Sequence, residues 1–407
     1  MLKCKVTEKD RDMKALEIKK GIYWVGGIDW DLRNFHGYLT QRGSTYNAYL
    51  IIDEKIVLVD TVKHYLYDEM LKRIKEIVDP SRIDYVVSNH TEMDHSGGLP
   101  KILEIAKNAT IICSPNGEKG LKRHFLPAGR QGKKDWRFKV VNSGDSVNIG
   151  KRNLVFALAP MVHWPDSMVT YVPEEKLLLS NDAFGQHIAS NERFVDEVEW
   201  DIVRQEAAKY YANIVLPYGA QVQKALEAVS SLDIDMIGPS HGLIWRTKLK
   251  DIIGFYKKWS TNTCENKAVI VYDTMWHTTE KMAKAISESF KEKGVNCATF
   301  DLTSEHMSDA MTEVLESKYI CVGSPTLNNG MLPTVSAFLT YMKGLAPKNR
   351  IGIAFGSYGW GGQSIGEIEK IFESCKFELP VKGLKIQYIP DEAELAEFKK
   401  KVTNALK

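Results

Sequence analysis

Four ligand-type side chains fall within six positions in His90-Thr91-Glu92-Met93-Asp94-His95, the densest such cluster in this 407-residue chain. Ser96-Gly97-Gly98 follows, which places Ser96 as the N-cap of a helix over Leu99–Lys107. Three further ligand types stand later in the chain: His163 in HWPDS, Asp182 in SNDAFG and His241 in PSHG. Each of these four places follows a short apolar run, namely Tyr85–Val87, Leu154–Ala159, Leu177–Leu179 and Met236–Ile237. Ligands at the ends of neighbouring strands can converge at one sheet edge while the core supports them. Seven ligands are too many for one tetrahedral zinc and suit two metals. His90, Glu92 and His163 can hold one, Asp94, His95 and His241 the other, and Asp182 can bridge them. Imidazoles and carboxylates without thiolate tolerate iron, manganese or zinc, so the ligand set alone leaves the metal open.

A second kind of chemistry is spelled by backbone-rich loops. Thr274-Met275-Trp276-His277-Thr278-Thr279 follows the apolar run AVIVYD and opens a helix. Hydroxyls and backbone N–H groups at a helix N-terminus can cradle a phosphate without an arginine. The loop is not GxGxxG, which weakens a dinucleotide reading. Pro325-Thr326-Leu327-Asn328-Asn329 and Ser357-Tyr358-Gly359-Trp360-Gly361 follow two later strands on the same edge, where doubly wound sheets bind ligands. Backbone amides and aromatic rings there suit a flat ring system.

The elements that must position these loops can be read coarsely. Residues 48–52 and 56–60 flank the turn Asp53-Glu54-Lys55 as a hairpin, and a helix runs from Tyr67 to Val78 and stops at Pro80. The polar stretch 257–267 marks a domain boundary, giving expected domains of 1–260 and 266–407. Beyond it, five strands alternate with helices near Thr279–Lys293, Val335–Lys343 and Gln363–Cys375 and at the C-terminus, the pattern of a parallel doubly wound sheet. Leu126–Gly132 (LPAGRQG) reads as an inserted loop without chemistry.

Composition narrows the classes. Lys+Arg 54 against Asp+Glu 52 leaves a net charge of +2, which argues against nucleic acid as a partner. No apolar run is long enough for a membrane span, and the polar start MLKCKVTEKDRDMK lacks a secretory core, so a cytoplasmic location is expected. Cys4, Cys113, Cys264, Cys297, Cys321 and Cys375 form no CxxC pair, so scattered reduced thiols are expected rather than a zinc ribbon or iron–sulfur cluster.

The HxExDH cluster resembles the HxHxDH signature of the metallo-β-lactamase fold, with Glu92 where the second His would stand. Together with HWPDS, Trp30-Asp31-Leu32-Arg33, the segment Ser44–Leu50 and a downstream flavodoxin-like half, it closely resembles the flavodiiron proteins over nearly the whole chain. The resemblance implies an N-terminal αββα sandwich and a C-terminal flavodoxin-like doubly wound sheet. It implies FMN, two non-haem irons per chain, and reduction of dioxygen to water or nitric oxide to nitrous oxide. Trp276-His277 stands where simpler flavodoxins commonly have Thr-Gly. LPAGRQG departs from the family away from every ligand motif.

With no CxxC in this chain, electrons are expected from a separate donor, in the family a rubredoxin or a reduced deazaflavin coenzyme. His36, in Asn34-Phe35-His36-Gly37-Tyr38, resembles a family variant in which a His approaches the metal pocket. The family's head-to-tail homodimer, which sets one FMN against the partner's diiron site, is expected here, with pairing of two dimers left open. The alternatives are a zinc hydrolase with an accessory flavodoxin-like domain, which Glu92 disfavours, and a flavin carrier whose metal domain is structural.

Overall fold

The computed structural model describes residues 14–126 and 136–406. Cys4 and the inserted loop beyond Leu126 lie outside the described residues. The chain divides into two compact units. The first ends at Lys257 and the second begins at Lys258, except that residues 37–39 and 211–219 group with the second.

The first unit is built on two sheets. One has seven strands, among them Tyr49–Ile51, Val57–Val59, Tyr85–Ser88 and Thr110–Cys113. Tyr49–Ile51 and Val57–Val59 pair antiparallel as the expected hairpin, and the next three pairings outward are parallel. The other sheet has five strands and includes Asn153–Leu158, Met168–Val172, Leu177–Asn181 and Met236–Pro239.

Period-two alternation explains why the first sheet is covered on both faces. Tyr49, Ile51, Val57, Val59, Val87 and Ile112 point into a core shared with Leu154, Phe156, Met168 and Leu179 of the second sheet. Their neighbours Leu50, Leu58, Val86 and Ile111 point the other way, onto Met70, Ile74, Leu99 and Ile102 of the covering helices. One face of each strand packs sheet on sheet and the other sheet on helix. That is the αββα layering, and it leaves only the strand ends for chemistry.

The helix at Tyr67–Ile77 forms as the spacing predicts. Ser96, by contrast, does not cap the following helix. It ends a short helix, Met93–Ser96, and its hydroxyl donates to Thr91 O at 2.7 Å and Glu92 O at 3.0 Å. The next helix, Leu99–Ile105, has Gly98 at its N-cap position, and the Gly98 N–H is taken up by Thr61 Oγ1 at 3.2 Å. The short helix satisfies Ser96 locally and draws Asp94 and His95 into ordered backbone. The polar stretch at 257–267 is also more regular than its composition suggests, since the helix Leu249–Ser260 runs into it and the strand Glu265–Tyr272 begins inside it.

The second unit is a five-stranded parallel sheet. Its spatial order is Asn296–Asp301, Glu265–Tyr272, Ser317–Gly323, Ile351–Tyr358, Leu384–Gln387. In chain order this is 2-1-3-4-5, the flavodoxin-like winding, with its switch point between the first and third strands. Ala268, Ile270, Tyr272, Cys321, Ile353 and Phe355 bury one face beneath Met282, Ile286, Phe290 and Phe398. A helix at Met307–Glu316, absent from the sequence expectation, precedes the third strand. It starts where His306 accepts from the Ser308 N–H. The five cysteines among the described residues are free thiols.

Gly356 shows how tightly the strand ends are packed. A Cβ at this position would lie 1.9 Å from the backbone oxygen of Ser324. Gly356→Ala should therefore force the loops of the third and fourth strands apart. The expected cost is about 3 kcal/mol or more, read by thermal or urea unfolding, with loss of flavin retention on gel filtration.

Candidate metal centre and flavin site

The ligand-type residues of the first unit meet at strand ends on one seam of the sandwich. His90, Asp94, His95, Asp182 and His241 are buried, as is Glu92, while His163 is nearly so. Two groups of candidate ligand atoms form, His90–His163–Asp182 and Asp94–His95–His241, with each group's atoms within 4.8 Å of one another. Asp182 belongs to both by contact. Its Oδ2 lies 3.6 Å from His90 Nε2 and 3.4 Å from His163 Nε2, and its Oδ1 lies 3.1 Å from His95 Nε2 and 3.2 Å from His241 Nε2. Glu92 Oε2 stands 3.3 Å from His90 Nε2 and 3.4 Å from His163 Nε2, on the first side. Asp94 faces the other side, 3.3 Å from His95 Nε2 and 3.4 Å from His241 Nε2.

The donor set fits cations. Both oxygens of Asp94, His95 Nε2 and Asp182 Oδ2 are buried and have no hydrogen-bond partner among the described residues, a costly arrangement unless a metal takes them up. Left to themselves, the carboxylates would hold protons on the imidazoles. Burial opposes the charged form of His163 and of His95, but neighbouring Asp182, with Glu92 for the first and Asp94 for the second, pushes each up to about 9. Burial works against the Asp182 carboxylate too, and the surrounding imidazoles still hold it well below the usual range. A metal displaces such protons when it binds.

Supporting contacts orient the ligands. His90 Nδ1 donates to Asp166 Oδ2 at 3.0 Å, which also accepts the Thr91 N–H at 2.7 Å. His241 Nδ1 donates to Thr45 O at 3.0 Å. With Nδ1 so occupied, Nε2 of both rings is left for a metal. Ser240 Oγ donates to Asp182 Oδ1 at 3.1 Å. Buried Asp60 accepts from the Asn89 N–H at 2.8 Å, from Asn89 Nδ2 at 3.0 Å and from Asn181 Nδ2 at 3.2 Å, and so holds the neighbours of His90 and Asp182 together. Asn47 does the same for the His241 loop, donating to Pro239 O at 2.8 Å and Gly242 O at 3.0 Å.

His36 reaches this pocket. Its Nε2 donates to Glu92 Oε1 at 2.8 Å while most of its ring stays exposed. Three polar neighbours escaped the sequence reading. His187 is buried, 2.7 Å from Ser44 Oγ, with its ring 4.8 Å from that of His241; burial, then the nearby His241, keep it well below its ordinary pKa. Asp166 lies inside the quoted HWPDS, and its distance from His90 in sequence hid its role. Lys63 sets its ammonium 4.9 Å and 4.7 Å over the rings of Phe35 and Tyr46.

In the second unit a cavity of about 660 Å³ opens at the carboxyl ends of the strands, within the range of small-molecule sites. Met275, Trp276, Thr278, Pro325, Thr326, Asn328, Asn329 and Ser357–Gly361 line it. Thr274, His277, Thr279 and Leu327 are not in its wall. Thr274 Oγ1, four residues before the helix Thr278–Glu292, is buried with no partner among the described residues, which suits an anion. His277 points outward to Glu280 at 2.8 Å, and Thr279 Oγ1 sits 3.3 Å from Ser357 Oγ. Gln363, Tyr388 and Ile389 complete the lining, and sequence reasoning missed them. The Tyr388 N–H bonds Tyr358 O at 2.9 Å, which brings the end of the last strand into the site.

A lactamase-type pocket of paired ligand groups and a flavodoxin-type cavity in one chain define a flavin-linked metal oxidoreductase. Residues 45–242 match the ODP family beta lactamase and residues 270–400 match Flavodoxin. The nitric oxide reductase of Moorella thermoacetica is 45% identical over 94% of this chain and 96% of its own. The solved rubredoxin oxygen:oxidoreductase of Desulfovibrio gigas superposes with a TM-score of 0.92 at 40% identity, covering 97% of this chain and 98% of that one. The flavodiiron protein of Giardia intestinalis gives 0.92 at 35% identity over 96% of both chains. The chain belongs to the flavodiiron protein family, and the hydrolase alternative gives way to an oxidoreductase.

Asp166→Asn keeps the size of the side chain and weakens the grip on His90. It should lower iron affinity about 10–100-fold, as loss of a supporting contact to a metal-bound histidine does, read by iron content after dialysis against a chelator, with the circular dichroism unchanged.

Proposed function

We propose that this protein reduces dioxygen or nitric oxide at an iron pair held by His90, Glu92 and His163 on one side and Asp94, His95 and His241 on the other, with Asp182 shared. The observation that carries the proposal is the division of the two Asp182 oxygens between two imidazole groups, at 3.1–3.6 Å. Bound FMN supplies one- or two-electron transfer and bound iron supplies reductive gas chemistry.

The chain's own residues set the conditions for that chemistry. Ser240 and the four imidazoles fix the rotamer of Asp182. Asp166 and Thr45 O fix the tautomers of His90 and His241. His36 holds a proton at Nε2 against Glu92 Oε1 on the exposed side of the pocket, and burial of the other ligands excludes water from the rest. In the second unit, the N-terminus of the helix Thr278–Glu292 and Thr274 Oγ1 would hold the phosphate of FMN. Tyr358, Trp360 and Tyr388, which line the cavity, would hold its ring.

The name of the Desulfovibrio relative supports a rubredoxin-type donor, and a reduced deazaflavin coenzyme is the other candidate. Among the described residues no helix is long and apolar enough to cross a membrane; a cytoplasmic location is part of this proposal. The two sites belong to separate units, and we place one subunit's flavin against its partner's metal pocket in a head-to-tail dimer. Trp276 and Trp360, 83% and 91% exposed on the flavin rim, give an apolar surface suited to such an interface.

Glu92→His tests the gas reaction. It should retain FMN and metal, lower gas consumption more than about tenfold, and leave donor-driven flavin reduction unchanged. The readouts are an electrode for dioxygen and nitric oxide and flavin absorbance; undiminished gas consumption in an iron-replete variant removes Glu92 from the proposal. Mixing Asp182→Ala subunits with Gly356→Ala subunits tests the dimer. Each is inactive alone, and a head-to-tail pair contains one intact flavin–metal couple, so activity should return on subunit exchange. If both sites must come from one subunit, none returns.

A further inference from the structure

A second cavity, of about 30 Å³, lies in the first unit. Met168, Leu178 and Phe184 form its inner wall, and Val222, Ala225 and Leu226 of the helix Gly219–Val229 form its outer wall. Two of its edges belong to the stretches that carry metal ligands. Val162 directly precedes His163, and Ser180 and Ala183 bracket Asn181 and Asp182.

Its polar side chains are turned to their own partners. The Ser180 hydroxyl donates to Ala183 O at 2.7 Å, and the Tyr256 hydroxyl accepts the Phe184 N–H at 2.7 Å. A cavity of this volume has room for a water, but its lining side chains are apolar or already hydrogen-bonded, and apolar cavities take up apolar solutes. Val222 is buried, whereas Ala225 and Leu226 are half-buried, so the helix side of the cavity lies close to solvent. Dioxygen and nitric oxide are uncharged diatomics that give up little hydration on leaving water, and the space fits molecules of their size.

We propose that this cavity is a binding site for the diatomic gas, where it is held behind the His163 and Asp182 segments before it enters the metal pocket. The proposal rests on the gas-reductase reading above. Xenon, an apolar gas, is the probe, used on crystals of the full chain loaded with iron and FMN. Xenon should be found against Met168 and Leu178. Ala225→Phe fills the space and should abolish xenon binding, and Val222→Ala enlarges it and should raise xenon occupancy. In solution, Ala225→Phe should slow the second-order reaction of the reduced protein with gas several-fold. Turnover at saturating gas, iron content and flavin reduction by the donor should stay as they were. Absence of xenon from the unaltered protein overturns the proposal, as does an unchanged second-order rate in a xenon-free Ala225→Phe protein. Should that variant not fold, unchanged xenon occupancy in Val222→Ala overturns it equally. An unaltered protein that consumes neither gas overturns the reductase reading instead, a separate result because xenon uptake needs no turnover.

Discussion

The structure of the first unit depends on one constraint, the removal from water of seven ionisable side chains at a single seam. Buried charges persist only when they are paired or bound to metal. Here the Asp182 carboxylate meets four imidazoles, each through Nε2, so every ring must be held by its backbone or by its other nitrogen. Hence Asp166 behind His90, Thr45 O behind His241, and Asp60 joining the segments before His90 and Asp182. None of these contacts reacts, and each limits the error in where a ligand atom lies. The αββα layering supplies the rest, because strands buried on both faces cannot slip by one residue without turning their whole apolar set around.

How much of this could be read from the chain follows from the range of each interaction. HxExDH was legible because its ligands lie within one turn of backbone, and the strand-end residues because each follows an apolar run. Asp166 stands inside HWPDS, but nothing local distinguishes a carboxylate that supports a distant histidine from one that caps a turn. Asp60, Asn47 and His187 share that fate. Ser96 was misread for the opposite reason: Ser before a helix is a good cap signal, and here a nearer pair of carbonyls, Thr91 O and Glu92 O, satisfied its hydroxyl first. The helix Met307–Glu316 escaped because it lies between two strands that already made a plausible sequence of elements.

The two sites are made by different means. The metal centre is made of side chains, so residue identity announces it. The flavin cavity is made largely of backbone and of topology: the switch point of a 2-1-3-4-5 sheet, a helix N-terminus and glycines whose neighbours come too close for a Cβ. Loops of that kind are found in a sequence by their position after strands, and their individual residues carry less information. That is why Tyr388 and Ile389, which line the cavity from the end of the last strand, carry no sequence signal, while Thr279 and Leu327, inside the expected loops, are not among its lining residues.

The exposure of Trp276 and Trp360 gives the protein an optical gauge. Of nine tryptophans in the chain, these two are exposed and the other seven are buried or half-buried. Indole emission shifts to the red in water, and a yellow flavin absorbs where tryptophan emits. The red edge of the fluorescence therefore belongs to the rim of the proposed flavin cavity, and its intensity registers whether the cavity is filled and whether a partner has covered the rim. The protein reports the state of one site with its own light, while the blue edge, from rings such as Trp24 and Trp245 in the core, reports only that the fold is intact.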